Sequence, residues 1–179
     1  MSIQNFRALL VDGPTANLPT ITATTETVLI PTIFTPIPAM DPRISAAYKL
    51  TTGGTCTTGT AGTLTITPRY GLVIGGTSMT ASGAQNYVPS ITTAPFIYEC
   101  YVYIRALGVA AGANSSVICT GRWVSGGAVA TAASSTVVTH TSTANVSVDT
   151  TVASGLWVGV TFSVAPSVIP LWALWERIG

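Results

Sequence analysis

The sequence predicts an all-β protein: a two-sheet β-sandwich or jelly roll that follows an extended Pro-rich N-terminal arm. Three observations predict this fold. Short segments between residues 44 and 179 alternate apolar with polar side chains at a period of two, and clusters of Gly, Ser, Ala and Asn separate them. Residues that favour strands are abundant, with Thr alone at 30 positions. No segment shows the period of an amphipathic helix.

Residues 1–43 form the first predicted segment, the arm. Six of the 11 prolines lie here, and those within residues 30–38 exclude a helix and a central strand, because proline lacks an amide donor and holds the preceding residue extended. The arm either packs along its own domain as a bounding strand or reaches onto a neighbouring subunit. In the second case the candidate subunit or capsid contacts are Phe6, Leu9, Leu10, Ile33, Phe34 and Ile37.

Residues 44–179 form the second predicted segment, one β-jelly-roll domain of eight or nine strands. Exposed Thr on these strands keeps the β preference and supplies a hydroxyl in place of a charge. Because no unit repeats, a sandwich or jelly roll is favoured over a propeller or a β-helix. The clearest strand candidates are residues 44–50, 63–67, 96–105, 117–124, 156–164 and 169–178.

Charged side chains make up only 7% of the chain, against roughly 25% in an ordinary soluble domain. The net charge of +1 offers no field that would steer the protein to nucleic acid or to an anionic membrane. Charges, Lys above all, commonly keep exposed sheet edges from pairing with other chains. A β-protein that lacks them is expected to have its edges and faces covered in an assembly, and we predict a homo-oligomer or a larger ordered array.

The N-terminus lacks the pattern of a signal peptide, and prolines interrupt the most apolar window, so we expect neither secretion nor a membrane helix. The three cysteines are Cys56, Cys100 and Cys119, whose odd number and spacing match neither a disulfide framework nor a zinc site. Buried, reduced thiols are expected. A bridge between Cys100 and Cys119 is the open alternative.

Side chains suited to catalysis are scarce, and we expect no enzyme, no cofactor and no metal. The single histidine, His140, has no acidic neighbour, and no Gly-x-Ser-x-Gly elbow is present, so it is expected at the surface near a strand end. The six carboxylates are each at least 14 residues from the next, which excludes a calcium loop. Glu99 and Arg105 share one face of the longest strand candidate, where ion pairs with Arg69 and Arg122 are possible.

Aromatic residues gather in the second half of the chain. Exposed aromatic rings beside hydrogen-bonding groups are typical of a sugar-binding platform, whereas alternating aromatic rings also fill sandwich cores and subunit interfaces. Both interpretations stay open. The candidate glycan platform is Trp123, Trp157 and Trp172.

The order of features from Pro95 onward forms a pattern. A long aromatic strand ends in Ile104-Arg105-Ala106, a strand at 117–124 follows a Gly/Asn loop, and the chain closes with the strand 156–165 and Glu176-Arg177-Ile178. This pattern, over residues 95–178, resembles the jelly-roll structural proteins of tailed bacteriophages: head decoration (cement) proteins, head fibres and tail-fibre tips.

The resemblance implies a virion structural protein without catalysis. Such a decoration or cement protein is made in the host cytoplasm, binds the outer capsid surface and stabilises the shell, with its own copies and the major capsid protein as partners. The alternative is a receptor- or carbohydrate-binding tip domain of a phage tail or head fibre. Neither implies contact with nucleic acid or membrane.

Overall fold

Twelve β-strands and one short 3-10 turn (Thr32–Phe34) make up the regular structure of the described residues. The computed structural model describes residues 7–11, 18–39, 46–58, 62–87, 91–109, 115–126 and 136–178. The strands are β1 (Arg7–Val11), β2 (Thr27–Val28), β3 (Pro36–Ile37), β4 (Ala47–Thr58), β5 (Gly62–Tyr70), β6 (Thr77–Ser78), β7 (Gln85–Tyr87), β8 (Ile91–Ala106), β9 (Ser116–Ser125), β10 (Thr136–Thr141), β11 (Ser154–Phe162) and β12 (Pro166–Ile178).

The strands form two antiparallel sheets that pack against each other, which confirms the predicted all-β sandwich. The long sheet has the order β1-β12-β4-β8-β9-β10, and the short sheet has the order β2-β11-β5-β6, with β3 also on β11 and β7 also on β5. The β5–β11 pair is nested inside the β4–β12 pair along the chain. A jelly roll nests its pairs in this way. A meander of β8, β9 and β10 then widens the long sheet.

The core lies between the two sheets and is built from alternate residues of each strand. Trp123 stacks on Phe96 with ring centroids 4.1 Å apart. Trp175 stacks on Tyr48 at 5.5 Å and donates its indole N–H to the carbonyl of Pro36 at 2.9 Å. Each large apolar side chain buried in this way contributes roughly 1.5–3 kcal/mol, so the aromatic layer is a major part of the stability.

The described residues of the predicted arm pack on the sandwich of their own chain. Leu18, Ile21, Leu29 and Ile30 belong to the core, and Ile21 bridges to Val168 through two backbone hydrogen bonds. β1 pairs with β12, and both β2 and β3 pair with β11. Residues 18–39 are therefore bounding strands and connectors of the same domain. The predicted boundary at residue 43 lies outside the described residues.

The six candidate contact residues of the arm have different environments. Ile37 is buried in the core, Phe34 packs against the core from a partly buried position, and Ile33 is 76% exposed. Leu9 and Leu10 lie in β1, which is paired with β12 of the same chain, and Phe6 lies outside the described residues. Among the members of this set whose side chains the structure describes, Ile33 is the most exposed.

Candidate functional site

His140 lies inside the sandwich, so its predicted surface position is wrong. It is 3% exposed, on the face of β10 that turns toward the core, and its Nε2 lies 2.9 Å from the hydroxyl of Tyr98. The ring occupies the space that a side chain at Gly121 would take. Burial lowers the pKa of His140 to about 4. The histidine is therefore neutral at neutral pH and acts as a polar core residue.

The three cysteines are buried and free, as expected. Cys100 and Cys119 lie on the neighbouring strands β8 and β9, with their sulfur atoms 3.4 Å apart. Burial, followed by the contact with Cys100, raises the pKa of the Cys119 thiol. Because the thiolate is the reactive form of cysteine, the buried Cys119 thiol is chemically inert at neutral pH.

The three tryptophans of the predicted glycan platform do not share a surface. Trp123 is fully buried because it points inward from β9 and stacks on Phe96. Trp157 is 7% exposed and leans across Gly159 of the short sheet, where the carboxylate of Glu26 also lies. Trp172, 41% exposed, stands alone among the three on the outer face of the long sheet. The prediction that these three residues form one exposed platform is therefore wrong.

One end of the sandwich exposes a group of large apolar side chains, and we call it the apolar end. Its residues come from the 3-10 turn, the turn after β5, the loop after β8 and the segment before β11. Each is between 40% and 76% exposed. The apolar end consists of Ile33, Leu72, Val73, Ile74, Leu107, Val109 and Val152.

Hydrogen bonds hold these four segments together at the same end. The hydroxyl of Thr32 donates to the carbonyl of Leu72 at 3.1 Å, which joins the 3-10 turn to the turn after β5. Thr150 and Gly108 exchange backbone and hydroxyl hydrogen bonds, which join the segment before β11 to the loop after β8. The backbone N–H of Gly71 donates to the carbonyl of Gly155 at 2.9 Å, which joins the turn after β5 to the start of β11.

The sequence contains a signal for the apolar end that strand periodicity does not reveal, namely three apolar residues in a glycine-bounded turn. Leu72, Val73 and Ile74 stand between Gly71 and Gly75, in a turn where polar residues are usual. Gly71 has a φ of 153°, and a Cβ there would meet the backbone of Gly76, so the turn requires glycine. The three side chains keep half or more of their surface exposed in this turn.

The outer face of the long sheet carries three rows of side chains that cross the strands. One row is apolar, and Ile97 and Val137 within it are half exposed. The apolar row contains Trp172, Ile97, Val124 and Val137. The polar row contains Thr51, Glu99, Arg122 and Thr139. The third row contains Lys49, Tyr101, Thr120 and Thr141.

Glu99 is the centre of an ion-pair network on this face. Its carboxylate accepts hydrogen bonds from Arg122 at 3.0 Å and lies 3.4 Å from the ammonium group of Lys49. Burial would raise the pKa of Glu99, but the hydrogen bonds and charges of Arg122 and Lys49 outweigh it and lower the pKa. Arg105 lies on the same strand face as Glu99, and Arg69 pairs with Glu26 at 3.0 Å.

A shallow groove of about 350 Å³ opens between the polar row and the third row. Its floor is the backbone at Gly121. The ring of Tyr101 forms one wall, with the ammonium of Lys49 5.4 Å from its centroid, and the ring of Tyr103 stacks beside it at 6.1 Å. The lining residues are Glu99, Tyr101, Thr120, Gly121, Arg122, Thr139 and Thr141.

Within the part of the chain that the structure describes, no three His, Cys, Asp or Glu residues group together as metal ligands. In the same residues no helix has the length and apolar character needed to cross a membrane. Among the described residues, the candidate functional surfaces are the apolar end and the outer face of the long sheet.

Comparison of the chain with protein-family models, curated proteins and solved structures finds no match. The resemblance to phage jelly-roll proteins stays a prediction.

Proposed function

We propose that this protein is a non-catalytic structural protein that assembles with copies of itself through the apolar end. The observation that carries the proposal is the grouping of seven exposed apolar side chains at one end of the sandwich. Monomeric proteins rarely expose apolar patches of more than a few hundred Å². A surface of this kind is typical of a protein that is covered by a partner.

The magnitude of the possible burial supports an interface. At their exposed fractions the seven side chains present on the order of 600 Å² to solvent, as large as the largest patch of a typical monomer. At about 25 cal/mol per Å², covering this area contributes roughly 15 kcal/mol per subunit before costs. Association costs about 4–15 kcal/mol, so the burial of the apolar end is of the same size as the cost of holding subunits together.

The low charge of the chain supports the same proposal. β10 forms an outer edge of the long sheet, and among the described residues of this strand none carries a charge at neutral pH. A charge-free edge strand readily pairs with another chain unless something covers it. A stable assembly supplies that cover.

The specific assembly that we propose is a phage virion. On the resemblance of residues 95–178, the protein is a capsid decoration or cement protein, made in the host cytoplasm. It forms a homotrimer that binds the major capsid protein on the outer capsid surface and stabilises the shell. Ile33 is the arm residue placed to take part, because it is the most exposed large apolar side chain among the described residues.

Native mass spectrometry of the full chain and of one variant tests this proposal. The variant Leu72→Ser/Val73→Ser/Ile74→Ser changes three exposed residues, so its far-ultraviolet circular dichroism should match the wild type. We expect a trimeric wild type and a monomeric variant. The matched control Ile97→Ser/Val137→Ser, on the outer face of the long sheet, should stay trimeric. A wild type that is monomeric at micromolar concentration contradicts the proposal.

A further inference from the structure

We propose that the groove on the outer face of the long sheet is a binding site for a neutral saccharide. The proposal rests on the geometry of this groove and not on the apolar end. The groove volume of about 350 Å³ falls at the small end of the range for ligand sites, roughly 300–1,000 Å³. It has room for one or two sugar rings.

The polar groups of the groove are fixed in place before any ligand binds. Two nitrogens of Arg122 contact Glu99 at 3.0 and 2.9 Å, and Lys49 holds the other carboxylate oxygen at 3.4 Å. The hydroxyls of Thr120 and Thr141 lie 3.0 Å apart and share the carbonyl of His140. Groups that are already ordered lose little entropy on binding, so they add affinity at low cost.

These groups match the hydroxyls of a sugar. A carboxylate only accepts hydrogen bonds, a guanidinium only donates them, and a threonine hydroxyl does both. Neighbouring hydroxyls on a sugar ring need an acceptor and a donor close together, and Glu99 beside Arg122 supplies that pair. The C–H face of the sugar is apolar and needs an apolar surface, which the ring of Tyr101 provides.

Other ligand classes fit the groove less well. A phosphate or sulfate attracted by Arg122 would lie against the carboxylate of Glu99, whose pKa is held low by its cationic neighbours, so the two negative charges would repel each other. An apolar ligand would displace the water that hydrogen-bonds to Glu99 and Arg122 and would offer no hydrogen bonds in its place, which is costly. A neutral polyhydroxylated ligand avoids both penalties.

A glycan array probed with the fluorescently labelled full chain tests this proposal. We expect the wild type to bind a subset of neutral oligosaccharides, and Arg122→Ala and Glu99→Gln each to weaken that binding at least tenfold. Arg105→Ala is the matched control, because Arg105 is an exposed cation on the same face of β8 but does not line the groove. Its binding should equal that of the wild type.

Three results overturn the proposal. The first is that the wild type binds no neutral glycan. The second is glycan binding that survives both groove variants while their melting temperatures show a folded protein. The third is inorganic phosphate binding by isothermal titration calorimetry that disappears in Arg122→Ala, since this identifies an anion site. Failure here leaves the oligomeric state of the protein unchanged, so this test and the mass measurement are independent.

Discussion

The buried histidine makes the stability of this protein depend on pH, and the size of the effect follows from its pKa. The pKa of His140 is about 4 in the folded chain because burial disfavours the charged ring, against 6.5 for an exposed histidine. A folded pKa below the unfolded one means that protons bind preferentially to the unfolded chain. The stability is therefore complete above about pH 7 and falls as the pH drops through 6.5 toward 4.

The linkage relation gives a loss of about 2.5 kcal/mol from this residue between pH 7.5 and 4.5. Urea unfolding followed by tryptophan fluorescence, at one fixed protein concentration, measures the change. Carboxylates also titrate in this pH range, so the contribution of His140 must be obtained by comparing two variants that differ only in this residue. The double variant Tyr98→Phe/His140→Phe removes the titrating ring without leaving the Tyr98 hydroxyl unpaired, and Tyr98→Phe alone is its reference.

We expect Tyr98→Phe to lose about 2.5 kcal/mol more than the double variant between the two pH values. The phenol of Tyr98 does not contribute, because burial raises its pKa well above 10. Equal losses in the two proteins would refute the reasoning, since they would show that His140 titrates alike in the folded and unfolded chains.

Three further predictions concern the core and the ion pairs. The three cysteines should not react with Ellman's reagent in the native protein and should yield three equivalents in denaturant, because all are buried. Gly121→Ala should lower the unfolding free energy by about 2 kcal/mol or more, since its Cβ would lie 2.5 Å from the carbonyl of Glu99 and 2.6 Å from His140. Gly75→Ala, with open space around it, is the control and should melt like the wild type. Arg122→Ala should cost less than about 1 kcal/mol in urea unfolding, because this side chain is 63% exposed.

The sandwich could be predicted because strand alternation is a local signal. The pattern at 96–105 places Phe96 and Tyr98 on one face and Ile97 and Glu99 on the other, and the structure buries the first pair and leaves the second at the surface. The same rule groups Trp123 with Cys119 on one face of its strand. Periodicity alone does not say which face is inward, so the burial of Trp123 could not be read from it.

The placement of the N-terminal segment could not be predicted, because its contacts are remote in sequence. Pro36 accepts a hydrogen bond from Trp175, 139 residues away, and Ile21 pairs with Val168. A stiff apolar segment has the same composition whether it covers its own domain or a neighbour. The buried position of His140 could not be predicted for a similar reason, because it depends on a partner strand. The space for its ring exists because a glycine on β9 faces it from the neighbouring strand.

The groove residues lie on three strands, and their meeting depends on register. Glu99, Arg122 and Thr139 align because β8, β9 and β10 pair at these positions. A shift of one residue in either pairing would move alternate side chains to the other face. The sequence predicts two of these strands, at 96–105 and 117–124, and Arg122 as a possible partner of Glu99, whereas β10 and the pairing register need the whole sandwich.

The claim that copies of the chain cover the apolar end is tested most directly by thiol labelling within it. The native cysteines are buried, so Val73→Cys introduces a single accessible thiol in the subunit. Ala81→Cys, at an exposed position outside the apolar end, is the control. We expect maleimide to label residue 73 at least tenfold more slowly than residue 81 in the assembled protein. Equal labelling rates would contradict it.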